Sequence, residues 1–251
     1  MPLCQNTTLL RVWLEAHRPA SNSAANLVAG AAGNIPRWIR VDNPACPQAV
    51  VCRTDRRLTL YAENPRAAAC VVASLPRNLR QRFGATPSRF FRTIRRLWPG
   101  PDARRRAWTN YCHMYILKPG RLAPAPRVRV GPLRPADAPL IARNWPYGRR
   151  RVEYVKSRIK AMPSSCIRRD GRPVAWALIH DDGSMGMLHV LEQFRGQGLA
   201  RAITAHLARQ VGKLGIQPFV YIVRTNRASI SLTETMGFEK QAEYIWFGTD
   251  R

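Results

Sequence analysis

Carboxylates are scarce in this chain. Asp and Glu total 15 of 251 residues against 41 Lys and Arg, for a net charge of +26. Lysine is scarce too: five of the bases are Lys, which leaves 36 Arg. Long apolar runs are missing. The longest small or apolar stretch, Ala67 to Leu75, falls far short of the roughly 20 residues that a membrane span needs. None of the six cysteines (Cys4, Cys46, Cys52, Cys70, Cys112, Cys166) forms Cys-x-x-Cys, and the five histidines show no paired spacing, so neither zinc nor any other metal is expected. A disulfide framework is not expected either. The first residues carry no apolar core behind a basic start, so no secretion signal is read. Gly and Pro are not periodic, and no internal repeat is visible. An apolar fraction of 45% excludes disorder throughout.

The positive charge is spread, +15 up to residue 125 and +11 beyond it. Such a field attracts nucleic acid, anionic surfaces and phosphorylated small molecules. A biased base composition that favours Arg over Lys would produce the same excess. Glu15 is the only acid before Asp42, and Arg11 and Arg18 flank the amphipathic run Leu9, Leu10, Trp13, Leu14. That run reads either as mitochondrial targeting or as the first helix of the folded chain. The compartment is left as mitochondrial or cytoplasmic.

Strands are expected at Trp38–Val41, Ala49–Arg53 and Leu58–Ala62, and a helix over Arg66–Leu75 opened by Asn64-Pro65. Basic residues interleave with aromatics from Pro76 to Arg106. The segment reads as a helix with a solvated charged face, with nucleic-acid binding as the other option. Tyr111–Leu117 is a strand candidate. The Pro-rich stretch Lys118–Pro126 reads as an extended connector, which divides the chain into domains 1–125 and 126–251. Beyond it the pattern predicts strand Val128–Leu133, helices Asp137–Ala142 and Arg149–Met162, and strands Ser165–Arg168, Pro173–His180 and Met185–Leu191. Leu199, Ile203, Leu207, Val211 and Leu214 then mark an amphipathic helix stopped by Gly215. Strand Phe219–Val223, helix Ala228–Met236 and strand Tyr244–Phe247 complete the order. The class is α/β or α+β with a mixed sheet.

The junction Glu192-Gln193-Phe194-Arg195-Gly196-Gln197-Gly198-Leu199-Ala200 is a strand, a Gly-rich loop and a helix start. It exposes main-chain N–H groups and the positive helix end to an anion. It is not a Walker loop, and the acidic ribose ligand of a dinucleotide fingerprint is missing. Gly183-Ser184-Met185-Gly186 is not a nucleophile elbow. About 30 residues on, Asn226-Arg227-Ala228-Ser229 opens a helix that ends in Gly237-Phe238.

This pair of segments resembles the GNAT superfamily of acyl-CoA-dependent N-acyltransferases. Within it, Asn144-Trp145, Met162-Pro163-Ser164-Ser165-Cys166, Gly171-Arg172-Pro173-Val174-Ala175-Trp176 and Leu191 to Arg195 resemble segments of glycine N-acyltransferases. The match covers residues 128 to 247; the N-terminal part matches loosely. The resemblance implies a GNAT fold with a mixed central sheet in domain 126–251, preceded by a smaller, degenerate GNAT-like α/β domain. It implies an N-acyltransferase that moves an acyl group from CoA to the amine of glycine or another small amino acid, acting as a monomer without a metal. The alternatives are a generic GNAT acetyltransferase acting on a protein amine, or a non-enzymatic module that binds nucleic acid or protein. Glu192 matches the proposed catalytic carboxylate. Val190 and Leu191 would meet the thioester through their N–H groups, and Arg195, Gly196, Gln197, Gly198, Leu199 and Ala200 the diphosphate. Asn226 and Ser229 match positions near the pantetheine or adenine end, and also read as a helix cap. Thr233 stands where many relatives place a Tyr general acid.

Overall fold

The computed structural model describes residues 7–55, 57–76, 82–97, 107–146 and 151–248. The chain forms two compact units. One comprises Met1–Met114, Tyr221–Thr225 and Gln241–Arg251; the other comprises Tyr115–Val220 and Asn226–Lys240.

The first unit holds helices α1 (Thr7–Ala16), α2 (Asn22–Ala29), α3 (Pro65–Ala73) and α4 (Phe91–Arg96). Its strands are β1 (Trp38–Val41), β2 (Ala49–Arg53), β3 (Leu58–Ala62) and β4 (Arg82–Pro87), with the early part of β5 (Trp108–Leu117). Strand β1 pairs with β2 and β2 with β3 antiparallel, whereas β3 and β4 run parallel. Strand alternation divides the core. Ala49, Val51, Leu58, Leu60 and Ala62 face α3 and α4 residues such as Val71, Val72 and Ile94. Val50, Cys52 and Tyr61 face Leu10 and Leu14 of α1 and Leu27 of α2. Burial on both faces explains why β2 reads as the continuous apolar run Ala-Val-Val-Cys. Because α1 buries Leu10 and Leu14, Thr7–Ala16 is a core helix, the second of its two sequence readings.

Helix α3 starts where Asn64-Pro65 predicts. The Asn64 side chain accepts a hydrogen bond from the Ala67 N–H at 2.9 Å. Asn64→Ala is expected to cost about 1 kcal/mol in urea denaturation, the usual worth of such a cap; an unchanged midpoint would contradict the capping role.

Two elements of this unit depart from the sequence reading. Residues 77–81 and 98–106 of the Arg-rich segment lie outside the described residues. Between them, β4 replaces the first part of the expected helix. Phe83 pairs across strands with Phe247, the rings stacked with centroids 4.8 Å apart. That distant partner outweighs the local helical pattern. Helix α2 is unexpected because its face is polar: Ser21, Asn22, Ser23 and Asn26 are all buried. The Arg18 guanidinium satisfies this face, donating to Asn22 Oδ1 at 2.7 Å and Asn26 Oδ1 at 3.1 Å.

The second unit holds α5 (Ala138–Asn144), α6 (Val152–Ala161), α7 (Leu199–Lys213) and α8 (Arg227–Thr235). Its strands are β6 (Ser165–Arg169), β7 (Arg172–Ile179) and β8 (Met185–Val190), with the start of β9 (Phe219–Val223) and of β10 (Phe238–Gly248). β6, β7 and β8 form an antiparallel meander, and β8 runs parallel to β9. Trp176, Leu178, Cys166 and Met187 pack against Ile141, Val155 and Ile159 of α5 and α6. The expected strand Val128–Leu133 shrinks to one bridge, Gly131 with Cys166. Pro132 has no N–H to continue a ladder, and the next amide, Leu133, donates to Ser164 Oγ at 2.9 Å instead. Asp137 does not cap through its side chain. Its carboxylate instead accepts from the Arg134 N–H at 2.7 Å and from both terminal nitrogens of Arg168, at 2.5 and 3.2 Å.

Candidate active site

The site is built where β8 leads into α7. In β8, Trp176 opposes His189 and Leu178 opposes Gly186, with a register shift between them. Met187 sits in this bulge with φ of +51°. A positive φ is uncommon for a side chain of this size, and bulges of this kind re-aim a strand. Nothing in the sequence pattern marks it. β8 registers with β9 at the pair Met185 and Val220.

The direction of the amides follows from strand alternation. The Leu191 N–H donates to the Val174 carbonyl of β7 at 2.9 Å, so this amide is already engaged. The Val190 N–H, one residue earlier, therefore points to the opposite edge of β8. Of the two amides assigned to a thioester, Val190 is the one directed away from β7.

Glu192 opens a short 3-10 turn, Glu192–Phe194, closed by the Arg195 N–H donating to the Glu192 carbonyl at 3.1 Å. Its side chain is 89% exposed, and one Oε lies 4.0 Å from the Arg195 guanidinium. Arg195 Nε also reaches the Val190 carbonyl at 3.4 Å. The loop then turns twice through left-handed backbone, at Gly196 (φ +77°) and Gly198 (φ +72°). A Cβ at Gly196 would meet nothing within 4 Å, so its main chain is open to a ligand. A Cβ at Gly198 would lie 2.7 Å from Pro126 Cγ. The first hydrogen bond of α7 runs from the Ala202 N–H to the Gly198 carbonyl. That geometry leaves the amides of Leu199, Ala200 and Arg201 without helical acceptors, as at any helix start. They lie at the positive end of a 15-residue helix, with Gly196 and Gln197 just ahead of them in the loop.

The FR47-like protein family matches residues 166–247. A 102-residue stretch is 28% identical to the glycine N-acyltransferases of Pongo abelii and Homo sapiens, covering 39% of this chain and 34% of each relative. The aligned stretch thus spans about a third of the length of these curated relatives. A Drosophila protein superposes over 98% of this chain and 90% of its own, with a TM-score of 0.71 and 19% identity. A putative acetyltransferase from the GNAT family of Novosphingobium aromaticivorans superposes over 94% and 99%, with a TM-score of 0.54 and 16% identity. Residues 166–247 are thus similar to the FR47-like family, and the fold is the one these solved structures share.

Asn226 caps α8: its Oδ1 accepts from the Ser229 N–H at 3.1 Å. Both residues thus have a structural task, the second of their two sequence readings. Thr233 is buried in α8. Among the described residues there is no group of three or more His, Cys, Asp or Glu side chains arranged to hold a metal.

His189 lies on β8 and stacks on the buried Trp176 ring with centroids 4.9 Å apart. Burial, then the Arg195 charge, holds its pKa below the ordinary histidine value. His206 of α7 is lowered likewise, by burial and then by Arg209 and Lys213. An unfolded histidine takes up its proton near pH 6.5, whereas these two do so only at lower pH when folded. The unfolded chain therefore binds more protons in that window, and stability falls with falling pH. Urea denaturation is expected to show lower stability at pH 5.5 than at pH 7.5; equal stability would contradict the assignment.

Proposed function

We propose that this protein is an acyl-CoA-dependent N-acyltransferase, with glycine or another small amino acid as acceptor and with its chemistry in domain 126–251. The observation that carries the reading is the row of main-chain donors from Gly196 to Ala200 at the start of α7, directly behind the bulged strand β8. A diphosphate fits such a row, since Gly196 places no Cβ in its way and the helix dipole favours its charge. Arg195 adds a cation at the loop. The acyl-CoA is a co-substrate, and its thioester would lie along β8, where the Val190 N–H points away from β7.

Acyl transfer needs a neutral amine, a place for the oxyanion and an exit for the thiolate. Glu192 takes the proton from the acceptor ammonium, directly or through water, and leaves a nucleophilic amine. The amine nitrogen bonds to the thioester carbon, and the carbonyl oxygen becomes an oxyanion that the Val190 N–H can meet. A donor at that position is worth about 3 kcal/mol. Collapse of the intermediate breaks the C–S bond, and the nitrogen, positively charged after its attack, gives up its second proton to solvent as the amide forms. Thr233 supplies no phenolic acid, so the thiolate leaves as an anion and takes its proton from solvent. The partial identity to glycine N-acyltransferases supports the choice of acceptor, and the excess of Arg suits an anionic thioester and a carboxylate-bearing amine.

A thiol-release assay with acetyl-CoA and benzoyl-CoA tests this, each with and without glycine. Release that depends on the amino acid is expected. If no acyl-CoA and amino-acid pair releases thiol above the hydrolysis blank, the reading fails.

A further inference from the structure

A cavity of about 720 Å³ opens beside α7, on the side turned to the connector around residues 124–130. We propose that this cavity is a second anion site, which binds a small organic phosphate monoester through Arg127, Arg209 and His206. It uses neither Glu192 nor any residue of the 195–200 loop, so it stands independently of the acyl-transfer reading.

The site combines cations with an apolar wall. Ala202, His206 and Arg209 lie four and three residues apart, on one stripe of α7 that lines the cavity. Arg127 faces the same cavity from the connector, while Pro124, Pro126 and Val128 supply apolar surface. No carboxylate lines it. Neither Arg127 nor Arg209 has an ion-pair partner among the described residues, so both forks are available.

His206 is held in place. Its Nδ1 lies 2.8 Å from the hydroxyl of Ser165, a fully buried residue. With that hydroxyl donating to Nδ1, the ring proton sits on Nε2, the remaining nitrogen, as a donor. Burial and the nearby Arg209 and Lys213 charges hold its pKa below the ordinary histidine value, and through Nε2 the ring offers an N–H donor beside two permanent cations.

Two guanidinium forks and an imidazole N–H exceed what the two oxygens of one carboxylate can accept. A phosphate monoester offers three oxygens and a double charge, which suits arginine forks. The proline and valine wall suits an apolar or aromatic body, and the volume falls in the range of small-molecule pockets. This reading gives part of the excess Arg and the proline-rich connector a shared role.

Calorimetric titration of the full chain with adenosine monophosphate and with adenosine tests the proposal, in the presence of saturating CoA so that the loop is filled. The monophosphate is expected to bind saturably and at least about tenfold more tightly than adenosine, since the phosphate contacts are charge-assisted. The Arg127→Gln/Arg209→Gln variant is expected to lose that preference. Both side chains are exposed, and circular dichroism confirms the fold; Arg209→Gln alone, expected to lose part of it, serves if the double variant unfolds. Equal affinity for the two ligands, unchanged binding in the variant, or loss of monophosphate binding when CoA is added would overturn the proposal. CoA binding itself is read from the thermal shift by CoA alone. Its failure would sink the acyl-transfer reading, and the same titration without CoA would still decide this one.

Discussion

Glu192→Gln is expected to lower kcat by about 10²- to 10⁴-fold, the usual contribution of a positioned general base. The substitution keeps the size and shape of the side chain but removes its charge and its ability to take a proton. Because Glu192 is 89% exposed and contacts Arg195 only at 4.0 Å, its loss should leave the fold intact. Stability and CoA affinity are therefore expected to stay close to wild type while turnover falls. Raising the pH should recover part of the rate, since at higher pH more of the amine is neutral without assistance. The assay is thiol release with glycine from pH 6.5 to 9.5. Full turnover across neutral pH in the variant would remove Glu192 from the mechanism.

Gly237→Ala is expected to cost at least about 3 kcal/mol of stability, more than any surface substitution. Gly237 has φ of +89°, which alone strains any side chain, and its Cβ would lie 2.0 Å from the carbonyl oxygen of Arg121. The obstacle is main chain and cannot swing away. It is also fixed, since the Ala123 N–H donates to the Met236 carbonyl at 3.1 Å. The change would push the connector off the end of α8. Urea denaturation measures it, and a loss below about 1 kcal/mol would show that the connector yields easily.

The Gly237-Phe238 pair entered the sequence reading only as part of a resemblance, and the structure supplies its physical reason: no Cβ fits beneath Arg121. Other parts were legible directly. The bounds of β1, β2, β3 and β9 follow from short apolar runs between turn residues. Helix α7 follows from its i, i+4 stripe and the glycine after it. Helix α2 and strand β4 were not legible, because each depends on partners distant in sequence. Arg18 satisfies a polar helix, and Phe247 pairs with Phe83. The strand expected at Val128–Leu133 failed because alternation was present but Pro132 removed a donor. In the site, the donor loop could be recognised from two glycines between a strand and a helix. The bulge at Met187 could not, since no residue type announces it. The engaged amide of Leu191 was equally invisible, because only the registered partner Val174 shows which amides of β8 are already taken.

The acyl-transfer account rests on the row of amides ahead of α7. A crystal structure of the chain with CoA tests it most directly. Diphosphate oxygens within hydrogen-bonding distance of the N–H groups between Gly196 and Ala200 are the predicted result. Coenzyme bound elsewhere on the chain, with those amides facing only solvent, would contradict it.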